Sequence, residues 1–231
     1  MNWKNRPVKT LKKSSSYPSA RGLQCMWERY YSDLKRLPKW LMQPASFVVE
    51  ALPTLRNRRV SRVLDLGCGA GRHCLLLAKS RFEGFGVDLS VTALKISNEL
   101  CGKEQRGVKL TCATMTCLPF RDCVFDAVIS VSVIHHALKK NVAAAIREIH
   151  RVLNKNGLFL ANLVSVKDSR YGTGQMVEEG TFIILEAFTG AEELHHFFSE
   201  EEVSKLLAPF AEAEAELSDD RPHYWRITAT K

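Results

Sequence analysis

Asp65, Gly67, Gly69 and Gly71 alternate with other residues in the run D65-L-G-C-G-A-G71, directly after the apolar Val63 and Leu64. The next apolar run, E83-G-F-G-V-D88, ends on Asp88. A strand, a glycine turn and a second strand ending in an acid make a nucleotide-binding unit. The glycines let the backbone approach a ligand, and the acid accepts both hydroxyls of a ribose. An adenosine-containing cofactor is therefore expected, and the spacing narrows the choice. Dinucleotide sites use G-x-G-x-x-G, which lays a pyrophosphate on a helix start. The D-x-G-x-G-x-G run departs from that pattern. S-adenosylmethionine has no phosphate and presents an amino-acid end and a sulfonium. A tight turn with an acid for the ammonium suits it, and Asp65 is expected to supply that charge directly or through water and backbone. Cys68 lies in the loop because a small side chain fits there, not as a nucleophile.

Transfer of a methyl group from a sulfonium is an in-line displacement with an excellent leaving group. The protein must mainly align the acceptor, exclude water and stabilise changing charge, so no catalytic triad is required. His135 and His136 follow the fourth apolar run, and in an open parallel sheet that end of the strand faces the site. Either is a candidate base or acceptor-orienting residue, with local backbone capping as the alternative. One member of His195-His196 is expected to face the cleft or to serve the structure, and His196 is the candidate taken. Trp27, Tyr30, Tyr31 and Trp40 suggest an aromatic cover. Adjacent tyrosines on a helix point about 100° apart, so one of Tyr30 and Tyr31 is expected to face inward, and Tyr30 is the candidate.

Around these residues, 231 residues with a 45% apolar share can bury one full core. No run of about 18 apolar residues exists, so no membrane span is expected. The net charge of +8 is unevenly placed: Lys4, Arg6, Lys9, Lys12, Lys13 and Arg21 all precede Glu28, the first acid. Subtracting those six leaves about +2 for the remainder, which is nearly balanced. Residues 1–24 read as a basic, serine-rich flexible leader; an RNA-binding arm and a processed targeting segment are the other readings. The seven cysteines form no C-x-x-C pair with zinc-site histidines. Buried free thiols, no structural metal and a reducing cytoplasmic setting are expected.

The elements follow from apolar alternation and turn chemistry. Helical pieces are expected over Trp27–Leu41 and, interrupted by Pro53, over Phe47–Leu55. Strands are expected over Arg62–Leu66, Phe85–Asp88, Val108–Cys112, Phe125–Ser130 and Leu158–Leu163, with helices over Arg72–Ser80, after Ser90, and over Asn141–Leu153. That alternation argues for a parallel α/β sheet covered on both faces. Ser199 and Glu202 form a capping box for a helix reaching about Leu207. Two closing strands, Ala211–Leu217 and Tyr224–Thr230, flank a turn at 219–222, although the Ala/Glu alternation of the first also fits a helix. Asp126 is expected to play a structural part.

These motifs in this order resemble the class I S-adenosylmethionine-dependent methyltransferases, most strongly from Val60 to Leu163. The resemblance implies a Rossmann-like, seven-stranded, mostly parallel sheet with an antiparallel last strand and helices on both faces. It implies one domain over 25–231, with a cover at 25–56 and an inserted lid at 165–198. It assigns Asp65, Gly67, Gly69 and Gly71 to the methionine portion of the cofactor and Asp88 to the ribose, with Cys68 and Leu89 as further cofactor-binding residues. The stretch A113-T-M-T-C-L-P-F120 carries Thr114 where the family often has an acid near adenine, leaving a weaker, uncharged contact. Met115 is placed to flank the ring, and Ser130 lies at the fourth strand's end. The N-P-P-aromatic signature of enzymes acting on base or glutamine nitrogens is missing after that strand. The late insertion is similar to small-molecule or tellurite-resistance-like bacterial methyltransferases, which implies a metabolite, thiol or metalloid acceptor. RNA or protein modification, a dehydrogenase, and a non-catalytic nucleotide- or RNA-binding protein are the alternatives. A monomer or homodimer is expected.

Overall fold

The computed structural model describes residues 20–32, 39–104, 107–186, 190–218 and 223–231. Residues 1–19 of the basic leader and the turn at 219–222 lie outside the described residues, as does the side chain of Trp40.

Seven strands form the main sheet in the order β3-β2-β1-β4-β5-β10-β9. They are β1 (Arg62–Leu66), β2 (Glu83–Asp88), β3 (Lys109–Cys112), β4 (Phe125–Val131), β5 (Leu153–Val164), β9 (Glu212–Leu217) and β10 (Tyr224–Thr230). The first five run parallel, and β10 is antiparallel to both β5 and β9. The seven-stranded, mostly parallel fold expected from the sequence is therefore present. The Ala/Glu run resolves as the edge strand β9, because pairing with β10 supplies the ladder that an isolated helix would lack.

Period-two alternation sorts side chains to the two faces. Leu158 and Leu160 of β5 pack with Val48, Leu52 and Leu55 of α2 (Ser46–Asn57) and Leu77 of α3 (Arg72–Lys79). Phe159, Ala161 and Leu163 of the same strand pack with Val142, Ile146 and Ile149 of α5 (Lys139–Val152) and Val203 of α6 (Glu200–Leu207). Helix α2 runs through Pro53 without interruption. The proline removes one backbone donor, and the buried stripe of Val48, Leu52 and Leu55 holds the turn despite that loss. Asp126 is structural, as expected: its carboxylate accepts from the Ser61 and Arg62 amides at 2.9 Å and from Asn154 Nδ2 at 2.7 Å.

Two features depart from expectation. Helix α1 spans Ala20–Tyr31, beginning earlier than Trp27. The segment expected as an inserted lid has regular structure of its own: β6 (Gln175–Glu178), β7 (Thr181–Leu185) and β8 (Glu192–His196) form a second, antiparallel sheet. This small sheet packs Phe182 and Ile184 with Phe197 and with Val164 of β5. Cys68, Cys74 and Cys101 are buried thiols, but Cys25, Cys112, Cys117 and Cys123 are exposed, so general burial of the cysteines is corrected; all seven are free.

Candidate cofactor and acceptor site

At the C-terminal ends of β1, β2 and β4 lies a cavity of about 880 Å³, bounded by α1 and the small sheet. Its first half is built by chain that is close in sequence. The Gly67 and Cys68 amides donate to the Val87 carbonyl at 2.7 and 3.0 Å, folding the turn back across β2. Gly69, at φ +52°, donates its amide to Asp88 Oδ2 at 2.8 Å, while the Ser90 amide donates to Oδ1 at 2.8 Å. A side chain at Gly69 would run into the Tyr31 hydroxyl, so the conformation and the close approach both require glycine. Ser90 then caps α4 (Val91–Cys101), its Oγ accepting from the Ala93 amide.

Tyr31 and Glu28 bring α1 down over this turn. Glu28 accepts from the Val91 amide at 2.6 Å and the Thr92 amide at 3.2 Å, a second set of acceptors at the start of α4. Burial pushes its carboxyl upward, yet the hydrogen bonds from Thr92 and Val91 hold it below the ordinary carboxylate value. Trp27, Tyr30 and Tyr31 make successive edge-on ring contacts at 5.4 and 5.1 Å, and all three line the cavity. The expectation that one tyrosine faces inward is corrected: α1 lies along the opening, so neighbouring positions both reach it.

The second half has different chemistry. His135 and His136 follow β4, His195 and Glu193 come from β8, and Glu186 follows β7; all line the cavity with Arg170 and Tyr224. Ring centroids of His135–His136 and His136–His195 stand 4.5 Å apart, and those of His135–His195 stand 5.8 Å apart. His195 Nε2 is 3.0 Å from Glu186 Oε1 and 3.7 Å from Glu193 Oε2. These are charge contacts, since Nε2 makes no well-directed hydrogen bond. Burial lowers the His195 pKa, but Glu186 and Glu193 more than reverse this and raise it above the ordinary value. His135 and His136 are instead held well below it, by burial and then by neighbouring imidazoles. Tyr30 is pushed up to about 12 by burial and the Glu193 and Glu186 carboxylates. Arg170 donates Nε to Asp168 at 2.7 Å and Nη1 to Glu186 at 3.0 Å, so its charge is shared between two carboxylates at the cavity wall.

The structure gathers Tyr30, Gly67, Cys68, Gly69, Asp88, Leu89, Thr114, Met115, His135 and His136 around the cavity. Asp65, Gly71, Ser130 and His196 are not among its lining residues. Asp65 is buried behind the turn, accepting from Cys74 Sγ at 3.5 Å. Desolvation raises its pKa to about 7. His73 Nδ1 lies 3.9 Å away, but desolvation lowers His73 to about 3, so the two are not an ion pair at neutral pH. Gly71 starts α3, where a side chain would collide with Ser97. Ser130 points to the opposite side of β4 from Val131, which does line the cavity.

His196 likewise faces away from its neighbour His195. It meets Thr181 Oγ1 at 2.7 Å and stands 3.7 Å from Glu202. The choice of His196 as the cleft residue is therefore corrected to His195, and β8 alternation is the reason. Sequence reasoning also missed Arg170, Glu186, Glu193 and Tyr224 as lining residues. Thr114 spends its hydroxyl locally, 3.0 Å from that of Thr116. Among the described residues, two sets of donors gather with ligand atoms within 4.8 Å of one another: His135, His136 and His195, and Glu186, Glu193 and His195.

Residues 64–161 match the family described as a methyltransferase domain. The chain is 35% identical over 133 residues to the Probable tRNA methyltransferase 9B of Bos taurus, across 55% of this chain and 25% of that protein. It is 33% identical over 110 residues to the uncharacterized methyltransferase YcgJ of Bacillus subtilis, across 47% and 43% respectively. Thus the chain spans less than half the length of these relatives. Among solved structures, a Methanosarcina mazei SAM-dependent methyltransferase aligns with a TM-score of 0.67 at 20% identity, over 82% of this chain and 98% of its own. The Burkholderia thailandensis 1,6-didemethyltoxoflavin-N1-methyltransferase, bound to 1,6-didemethyltoxoflavin and S-adenosylhomocysteine, gives 0.68 at 18% identity, over 96% and 93%. At such identities these likenesses concern the fold. No described helix is long and apolar enough to cross a membrane. The strand order and the solved neighbours give this chain the fold of the class I S-adenosylmethionine-dependent methyltransferases, and residues 64–161 match the methyltransferase-domain model.

Proposed function

We propose that the chain transfers the methyl group of S-adenosylmethionine to a small-molecule acceptor held in the His- and Glu-rich half of the cavity. The observation that carries this reading is the division of one enclosed space into a glycine-and-carboxylate half and an ionisable half. The residues fit the cofactor. Asp88 uses one contact on each oxygen for the Gly69 and Ser90 amides, and a carboxylate has about four lone-pair sites, so capacity remains for two ribose hydroxyls. Gly67, Cys68 and Gly69 would hold the amino-acid portion, while Leu89, Thr114 and Met115 would border the adenine. When bound, the cofactor supplies an electrophilic methyl on a positively charged sulfur.

The chain's own residues do the remaining work. Trp27, Tyr30 and Tyr31 exclude water from the reacting pair. His135 and His136, neutral because of burial, can accept a proton from the acceptor or orient it. Asp65, behind the turn, acts on the amino-acid portion through the backbone rather than by touching it. The roughly 880 Å³ space is within the size range of small-ligand pockets, which favours a compact acceptor over a base still attached to RNA. A small metabolite or thiol suits the buried donors; a metalloid is the third member of this class.

The likeness to a tRNA methyltransferase and the basic residues before Glu28 favour a second reading, methylation of RNA. One experiment separates them. Full-length protein is incubated with S-adenosylmethionine carrying a labelled methyl group and either total tRNA or a fractionated small-metabolite extract. Label in the metabolite fraction supports the proposal. Label in tRNA, lost on raising salt and on deleting residues 1–19, replaces it. Failure to bind S-adenosylhomocysteine by calorimetry overturns both.

A further inference from the structure

We propose that His135, His136 and His195, backed by Glu186 and Glu193, form a binding site for a zinc-class divalent cation at the acceptor end of the cavity. The inference rests on the reading that this half receives the acceptor, but the donor set is argued on its own geometry. Three imidazoles each offer a nitrogen within 4.8 Å of the others, and the two carboxylates offer oxygens at the same spacing from His195. Tetrahedral ligands around an ion at 2.0–2.1 Å stand about 3.4 Å apart. Small rotamer movements therefore close the set onto a metal.

Four further observations point to a ligand. His135 Nδ1 and His195 Nδ1 are buried with no hydrogen-bond partner, in residues only 1% and 2% exposed. A buried imidazole nitrogen without a partner is costly unless something fills its lone pair. His136 Nδ1 lies 3.1 Å from the Leu194 carbonyl. Donating there fixes the tautomer and leaves Nε2 as the lone pair, which is how metal-ligating histidines are usually oriented. Carboxylates stand with the imidazoles at this wall: Glu186 and Glu193 lie 3.0 and 3.7 Å from His195 Nε2, and Arg170 is drawn to Asp168 at 2.7 Å as well as to Glu186 at 3.0 Å. Mixed imidazole and carboxylate donors select zinc-class ions over magnesium or calcium, which prefer oxygen alone.

A cation here gives the site a preference for acceptors that ligate through a thiol. The sulfur–hydrogen bond breaks as the sulfur–metal bond forms, and the proton passes to Glu186 or Glu193. The thiolate sulfur then bonds to the transferred methyl as the cofactor's own carbon–sulfur bond breaks, leaving a neutral thioether and S-adenosylhomocysteine. No oxidant or reductant is involved. The acceptor class is thiols rather than amines, because a metal-bound thiolate keeps lone pairs for attack on the methyl whereas an amine spends its only lone pair on the metal.

The test uses the full chain stripped with a chelator and then titrated with cobalt(II), followed by visible absorption and by zinc competition. One equivalent should bind, with a nitrogen–oxygen spectrum lacking thiolate-to-cobalt charge transfer. The variants His136→Gln and His195→Gln should each weaken binding at least tenfold, whereas His150→Gln, on α5 outside the cavity, should not. Thermal melting verifies that each variant is folded. Absence of binding, equal binding by the variants, or a thiolate band from the exposed cysteines would overturn the site. S-adenosylhomocysteine is titrated in parallel: if it binds while cobalt does not, the metal site alone fails. If cobalt binds and S-adenosylhomocysteine does not, the metal site stands and the methyltransferase reading fails.

Discussion

The two halves of the cavity are built by opposite strategies. In the glycine-turn half, backbone amides and one carboxylate satisfy each other before anything binds: Gly69 and Ser90 each donate to Asp88. Its parts come from a short stretch of chain and from the ends of adjacent strands. In the other half, imidazoles, carboxylates and a guanidinium arrive from β4, β7, β8 and the loop after β5, and several buried nitrogens lack partners. The first arrangement is pre-organised for one common ligand. The second leaves buried nitrogens unsatisfied, so under the proposed function cofactor binding and acceptor choice fall to physically separate parts of the cavity.

The largest way to break this contrast is Asp88→Ala. Hydrogen bonds to a charged group are worth about 1.5–3 kcal/mol each, so losing those to the ribose should weaken S-adenosylhomocysteine about 100-fold or more in calorimetry. A variant that binds normally would remove the proposed ribose contact. His136→Gln should do the reverse: kcat falls by about 100-fold, in the range of a lost acid–base or orienting group, while S-adenosylhomocysteine affinity changes less than threefold. Equal loss of both would mean that the halves are not independent.

Asp65→Asn sharpens the comparison through pH. Asp65 has its pKa raised to about 7 from an ordinary 3.8. The folded state therefore keeps a proton that the unfolded chain releases. This contribution is fully present below about pH 4 and is lost as pH rises through 7. Relative to wild type, Asp65→Asn should gain stability between pH 5 and 8, on the order of 2–3 kcal/mol at about 1.4 kcal/mol per unit, read from denaturant midpoints. A pH-independent difference would contradict the buried-acid account. Smaller still is Gly69→Ala, expected to cost about 1–2 kcal/mol for a strained φ and a displaced Tyr31. Adding Tyr31→Phe should recover part of that loss in a double-mutant cycle. The smallest effect belongs to His196→Gln: about 1 kcal/mol of stability from the Thr181 contact, with turnover within twofold, whereas His195→Gln abolishes most of it.

The difference between the halves also explains what could be read in advance. Glycine spacing, the acid ending β2 and the alternation of β4 and β5 are local properties, so the sheet and most residues at the cofactor end were legible. Ser130 was misplaced, and the direct alternative for Asp65 fell away, because motif membership does not specify which way a strand residue turns. His195 and His196 show the same limit more sharply. E192-E-L-H-H196 has no apolar alternation to mark it as a strand, and without a strand its parity is undefined. Arg170, Glu186, Glu193 and Tyr224 meet only through packing of the small sheet against the end of β5, a non-local event with no short-range signature.

The Glu28 carboxylate joins helix α1 to the start of α4, and that junction lies only three residues beyond Asp88. Any departure of the helix from the cavity mouth uncouples the Val91 and Thr92 amides at the same end of β2 that would carry the ribose. Movement of α1 would therefore be felt first at those two contacts, beside the proposed ribose anchor. Acidity loosens that junction below the ordinary carboxylate value, because the amide hydrogen bonds hold the Glu28 carboxyl lower than burial alone would leave it.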